Sequence, residues 1–167
     1  MQSSFIRIFT IISIYFFSKT VATTTTTTTT SEGSLILDNS FRVEWKIQSK
    51  EISFQFTWDS EHDYVALGLH NTTNQGMPNA EIFMCTASSS SCVVRHSIDY
   101  VKPNLSPVQY LSNITVITRN DSNVATFSRT LEQPSYFSVS ISNKTLGLIF
   151  ARGETDNSGE PLIHDTT

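Results

Sequence analysis

Phe41-Arg-Val-Glu-Trp-Lys-Ile-Gln-Ser-Lys-Glu-Ile-Ser-Phe-Gln-Phe-Thr-Trp58 alternates apolar and polar residues twice over. Phe41, Val43, Trp45 and Ile47 oppose Arg42, Glu44 and Lys46, and then Ile52, Phe54, Phe56 and Trp58 oppose Ser53, Gln55 and Thr57. Successive side chains of an extended strand point to opposite faces of its sheet, so this pattern predicts two strands, each with one buried face. Gln48-Ser-Lys50 joins them as a hairpin.

The same reading extends outward. Strands fit Tyr64 to Leu69, Ala80 to Cys85, Cys92 to Tyr100, Ile114 to Arg119, Val124 to Leu131, Phe137 to Ser142 and Leu146 to Ala151. Turns rich in Asn, Asp, Ser, Pro and Gly separate them, as at Asn120-Asp-Ser-Asn123, and no window holds an apolar 3.6-residue period for helical length. About nine short strands with regular turns predict an all-β fold, an antiparallel β-sandwich, with a closed barrel as the alternative.

Toward the N-terminus the character changes. Arg7 precedes the apolar run Ile8-Phe-Thr-Ile-Ile-Ser-Ile-Tyr-Phe-Phe17, and Thr20-Val-Ala22 supplies the small residues that a signal peptidase reads. The run is about half the roughly twenty residues that a membrane span needs, so residues 1–22 read as a cleaved secretory signal peptide. No later segment approaches that hydrophobicity, so no transmembrane segment is expected in the mature chain. Thr23 to Thr30 is unbroken threonine, which has no apolar face to offset the entropy of ordering it. Residues 23–33 therefore read as a Thr-rich linker and residues 34–167 as one domain with a sizeable core.

Cleavage would remove Arg7 and Lys19, leaving nine basic against fifteen acidic side chains, a net charge of −6. The remaining cations form no stripe, so nucleic acid is not expected as a partner. Five Asn-x-Ser/Thr triplets begin at Asn71, Asn104, Asn113, Asn120 and Asn143 and read as N-glycosylation sites of a secreted protein, although Pro107 directly after the Asn104 triplet disfavours that one. Cys85 and Cys92 flank a short polar loop, and an even pair in an oxidising compartment reads as a disulfide across a hairpin. No Cys-x-x-Cys, Gly-x-Ser-x-Gly, His-Glu-x-x-His or phosphate loop occurs, so no catalytic constellation is expected and the chain does not read as an enzyme.

Gly76-Met-Pro78 places a thioether, Met77, in a loop between two strands. His70 reads as a surface histidine beside Asn71, with a pocket wall or a substitute ligand as alternatives. His96 reads as a half-buried strand residue on the face of Val94 and Ile98. The acidic turns Asp59 to Asp63 and Glu154 to Glu160 read as solvated, since neither has the spacing of a calcium loop.

These segments in this order resemble the DOMON domain, an extracellular β-sandwich family of two-sheet, immunoglobulin-like architecture. The resemblance rests on Trp45 with Ile52 to Trp58, on Tyr64-Val-Ala-Leu-Gly-Leu69, on Gly76-Met-Pro-Asn-Ala-Glu81, on Ala125-Thr-Phe-Ser-Arg-Thr-Leu131, and on Leu148-Ile-Phe-Ala-Arg-Gly153 followed by His164. It covers most of 34–167. Glu81 stands where the family often has aspartate, and Phe150 where it often has tryptophan. The resemblance implies that Met77 and His164 are the axial ligands of a b-type haem. A soft thioether with a neutral imidazole would give a six-coordinate, low-spin iron suited to one-electron transfer, and both axial positions would be filled. No flavin or cytochrome domain accompanies the sequence, so a separate extracellular redox partner is expected. Two alternatives belong to other classes: a haem-free module that binds a sugar or other small ligand in the same pocket, and a structural or adhesion protein tethered by its threonine run.

Overall fold

The computed structural model describes residues 14–15, 30–71, 78–99, 101–133, 138–141 and 145–162. Their strands in chain order are β1 (Ile14–Tyr15), β2 (Thr30–Asp38), β3 (Phe41–Gln48), β4 (Glu51–Asp59), β5 (Tyr64–His70), β6 (Glu81–Thr86), β7 (Ser91–His96), β8 (Asn104–Leu105), β9 (Ser112–Thr118), β10 (Ser122–Thr130) and β11 (Thr145–Gly153). Among the described residues there is no helix, and none long and apolar enough to cross a membrane. One antiparallel sheet has the order β1-β11-β5-β6-β7-β8 and the other β2-β3-β4-β10-β9, which makes the expected sandwich.

Period two builds the core. Phe41, Val43, Ile52, Phe54, Phe56, Trp58, Ala125 and Phe127 from the second sheet meet Val65, Leu67, Leu69, Phe83, Cys85, Val94, Leu146 and Leu148 from the first. Phe54, Phe56, Phe83 and Phe127 stack edge-on or tilted with centroids 5.0 to 6.2 Å apart. Burial of each such ring stabilises the fold by roughly 1.5–3 kcal/mol. The founding hairpin closes at Ser49, whose φ is 58°, and its register runs from Phe41 opposite Trp58 to Gln48 opposite Glu51. Cys85 and Cys92 stand directly opposite each other on β6 and β7 and are joined in a disulfide, with 4.0 Å between their Cα atoms.

The architecture departs from expectation at three places. β2 begins at Thr30 and so takes in Thr30 to Gly33 of the segment read as a linker. It carries only Leu35 and Leu37 against the core, too weak an apolar signal to announce a strand, and it is held by pairing with β3. Gly33 lies opposite Trp45, where any Cβ would sit 2.4 Å from the indole, so only glycine lets the two approach. β7 stops at His96 rather than Tyr100, because the chain turns at Ser97, whose Oγ donates to the Asp99 carbonyl at 2.6 Å. The strand expected from Phe137 to Ser142 lies partly outside the described residues. Within it, Val139 and Ile141 are buried in the core without strand structure, and the Ile141 amide donates to the Leu131 carbonyl at 2.9 Å.

Candidate functional site

Met77 and His164 both lie outside the described residues, as do Gly76 and Asn143. The described residues nearest to them in the chain are Asn71 and Pro78 around the loop and Leu162 before the C-terminus. His70, at the end of β5, donates from Nε2 to the Pro78 carbonyl at 2.5 Å and so holds the backbone one residue after Met77. It is 3% exposed, which corrects the surface reading: its ring is buried at the base of the Gly-Met loop. On the C-terminal side, the Leu162 amide donates to the Glu154 carbonyl at 3.0 Å, and Thr155 pairs with Pro161, so 154–162 forms a closed arm that ends next to Ile163 and His164.

Between these two attachments lies the outer face of the sheet. Strand alternation sends Val65, Leu67 and Leu69 into the sandwich, and Tyr64, Ala66 and Gly68 to the other side. There Tyr64, Ala66, Ala80, Ile82 and Met84 form a second apolar cluster, flanked by half-buried Val93, Ile149 and Ala151. Gly68 keeps the middle of this face flat, since a Cβ there would stand 2.4 Å from Ile149. The cluster carries a single aromatic ring, Tyr64, where the inner core carries several.

Arg95 is the cation of this face. It is 5% exposed, donates from Nη1 to the Pro103 carbonyl at 3.0 Å and from Nη2 to Glu160 Oε1 at 2.7 Å, and its Nε has no hydrogen-bond partner among the described residues. Lys102 reaches the other oxygen of Glu160 at 3.0 Å. These two cations hold the Glu160 carboxyl below its ordinary range, the Arg95 bond being the larger cause. Burial pushes the Tyr64 phenol up, and the charge of Arg95 opposes that shift.

The inner face holds a polar group that the sequence reading left unused. Glu81, fully buried on β6, accepts from Arg129 Nη1 on both carboxylate oxygens at 2.5 Å, from the Val139 amide at 2.7 Å and from the Tyr110 hydroxyl. Arg129, 1% exposed on β10, also donates from Nη2 to the Val139 carbonyl at 2.9 Å and lies between the rings of Phe83 and Tyr110, 5.8 and 5.7 Å from their centroids. Burial pushes the Glu81 carboxyl up against the pull of Arg129, Tyr110 and Val139, and burial with the Glu81 charge pushes the Tyr110 phenol up. A signal existed: Asn123, Ala125, Phe127 and Arg129 share one face of β10, so period two alone puts Arg129 in the core. His96, opposite Glu81 in the β6–β7 register, is 7% exposed, more deeply buried than expected, and Ile98 beyond the strand is 60% exposed.

The acidic turns have structural work. Asp59 meets His62 Nδ1 at 2.6 Å, and although burial opposes it, that bond with Ser40 and Arg152 holds its carboxyl below the ordinary range. Asp63 accepts from the Ser88 amide and hydroxyl, each at 2.9 Å, and from Thr155 Oγ1, tying the β6–β7 turn to the C-terminal arm. Among the described residues no three His, Cys, Asp or Glu side chains converge as a metal site. Asn71, Asn104, Asn113 and Asn120 are all exposed.

A family model described as the DOMON domain matches residues 37–153. Among solved structures, the fold is similar to the cytochrome domain of Myriococcum thermophilum cellobiose dehydrogenase, with 12% identity, a TM-score of 0.55, and 82% of this chain and 78% of that chain covered. At that identity the likeness is one of fold. No curated protein sequence matches.

Proposed function

The chain belongs to the DOMON family, and from that premise we propose that it is a secreted, glycosylated electron carrier holding b-type haem against the outer face of the β11-β5-β6-β7 sheet. The observation that carries this reading is the buried apolar outer face, built from Tyr64, Ala66, Ala80, Ile82 and Met84, with His70 at the end of β5 and the arm 154–162 after β11. Its neighbour in fold is a cytochrome domain, which adds support at the level of architecture.

The described residues fit a porphyrin. A flat apolar wall suits the macrocycle, which without covalent attachment depends on such burial, and Arg95 offers a buried, unpartnered N–H to a carboxylate of the kind a porphyrin carries. Met77 and His164 would hold the iron, and bound haem would supply a single-electron couple. His70 fixes the backbone beside Met77, and the Glu160 contacts to Arg95 and Lys102 hold the arm that leads to His164. A separate extracellular redox partner would give and take the electron.

The test is the visible spectrum, oxidised and then reduced, of the protein secreted from a host supplied with haem, together with Met77→Ala and His164→Ala. We expect a sharp low-spin spectrum that each substitution degrades, and a mature N-terminus after Ala22. A colourless, folded wild type would overturn the haem reading and turn the search to a sugar or other small ligand on the same face, read by ligand-dependent thermal stabilisation.

A further inference from the structure

The two edges of the five-stranded sheet are protected differently. β2 carries Glu32 and Asp38, and its register shifts between Ile36 and Asp38. Charges and bulges are the usual means by which an edge strand avoids pairing with another chain. β9, at the opposite edge, reads Ser112-Asn-Ile-Thr-Val-Ile-Thr118 and contains neither a charge nor a proline. All of its residues but Val116 are exposed, including Ile114 at 40% and Ile117 at 51%, and among the described strands only β10 pairs with it. A short, uncharged, β-branched segment on an open edge is the pattern that recruits a second strand.

Its two ends carry sequons. Asn113-Ile-Thr115 opens the strand, where a register shift against Thr126 to Ser128 and a φ of 53° at Asn113 form a bulge. Asn120-Asp-Ser122 occupies the turn that follows, closed by the Arg119 amide donating to the Ser122 carbonyl at 2.8 Å. The bulge interrupts pairing only at the start, so Thr115 to Thr118 remains in regular register and open to solvent. β8, the edge of the other sheet, bears Asn104 beside Leu105, which is 53% exposed. β9 packs next to β7, the strand with which β8 pairs.

We propose that N-linked glycans on Asn113 and Asn120 shield the β9 edge, taking the place of the missing charges and keeping a second copy of this chain from pairing with it. The inference rests on the secreted, glycosylated part of the functional reading and is independent of haem.

The experiment uses the full secreted chain. Glycopeptide masses report occupancy at Asn113 and Asn120, and light scattering over a concentration series reports oligomeric state. Wild type, Asn71→Gln, and the double variant Asn113→Gln/Asn120→Gln are compared, with enzymatic removal of the glycans from folded protein as a second route should the double variant not be secreted. Occupied sites, a monomeric wild type and Asn71→Gln, and self-association strengthened by about tenfold or more on loss of the two glycans are expected, with Ile117→Lys restoring the monomer. Occupied sites whose loss leaves the protein monomeric would overturn the shield alone. Unoccupied Asn113 and Asn120 would overturn the shield and the glycosylation reading at those two positions, leaving the spectrum as an independent test. Self-association that Ile117→Lys does not relieve places the contact elsewhere and likewise overturns the proposal.

Discussion

Two ion pairs stand on opposite faces of the β6–β7 hairpin. Glu81 and Arg129 meet inside the sandwich with both side chains 0% exposed, whereas Arg95 and Glu160 meet on the outer face with Glu160 at 39%. The inner pair links the two sheets, and its surroundings saturate it: Tyr110 and Val139 complete Glu81, and the Val139 carbonyl takes a second nitrogen of Arg129. The outer pair fastens a peripheral arm and leaves Arg95 Nε without a partner among the described residues. A fully buried pair is expensive to break because the remaining charge cannot be rehydrated, while a pair with one partner at the surface lets water replace part of the lost contact. One face is thus committed to holding the fold together, and the other keeps bonding capacity for something else.

The strongest way to break this comparison is Arg129→Met. It leaves Glu81 buried without its cation, and a loss of roughly 3–5 kcal/mol is expected at pH 7. The sign of the pH dependence follows from the carboxyl. With Arg129 gone, burial raises the folded-state pKa of Glu81 further above its unfolded value of about 4.3, so the folded state binds the proton more readily. Stability should then fall as pH rises above that unfolded value, and the variant should be closest to wild type below about pH 4. Urea unfolding at several pH values measures both effects. Equal penalties at low and neutral pH would show that lost packing of the Arg129 side chain, rather than its charge, makes the core.

The disulfide sharpens the same contrast at smaller size. Cys85 and Cys92 belong to the inner core, and their bond closes a loop with a sequence separation of 7. Replacing both with alanine should cost roughly 2–3 kcal/mol by loop-closure entropy. With haem bound as proposed, the folded fraction should keep its visible spectrum, because the outer face is built by the opposite alternation of the same strands. A spectrum lost with the disulfide while the secondary structure persists would show that the two faces are not independent.

How far the sequence carries this arrangement depends on whether period two is intact. The β3–β4 hairpin was legible because its apolar residues alternate without interruption, β5, β9, β10 and β11 were legible as short apolar or β-branched runs between turn-rich stretches, and Cys85 and Cys92 were legible from compartment and spacing. β2 escaped because its threonine, serine and glycine residues bury little, so its place comes from pairing with β3 rather than from its own composition. Val139 and Ile141 alternate correctly but are irregular in backbone, since core burial can be met without a ladder. Arg129 and Glu81 were hidden because charged residues are ordinarily assigned to solvent, and only each other and partners from two further segments, at Tyr110 and Val139, make burial tolerable. The outer face was legible as half of an alternation, but its apolar character became clear only when β5, β6, β7 and β11 were placed side by side.

The smallest expected effect concerns the outer pair. Arg95 and Lys102 hold the Glu160 carboxyl below its unfolded range, so its contribution is present above about pH 4.3 and is lost as pH falls through the folded value. What should loosen is the arm rather than the fold, and the Leu162 amide, bonded to the Glu154 carbonyl, is its reporter. Hydrogen exchange at Leu162, corrected for the intrinsic rate, should show protection falling between about pH 5 and pH 3 while amides of β5 and β6 keep theirs. The Asp156 carboxyl is also held low, chiefly by Ser158, and titrates in the same direction, so the wild type alone does not separate the two. Glu160→Gln does: it should show the reduced protection already at pH 5, with a smaller further change on acidification. Identical exchange in this variant and the wild type would assign the arm to Asp156 and Asp63, and the outer pair would lose its role as the fastening that leads to His164.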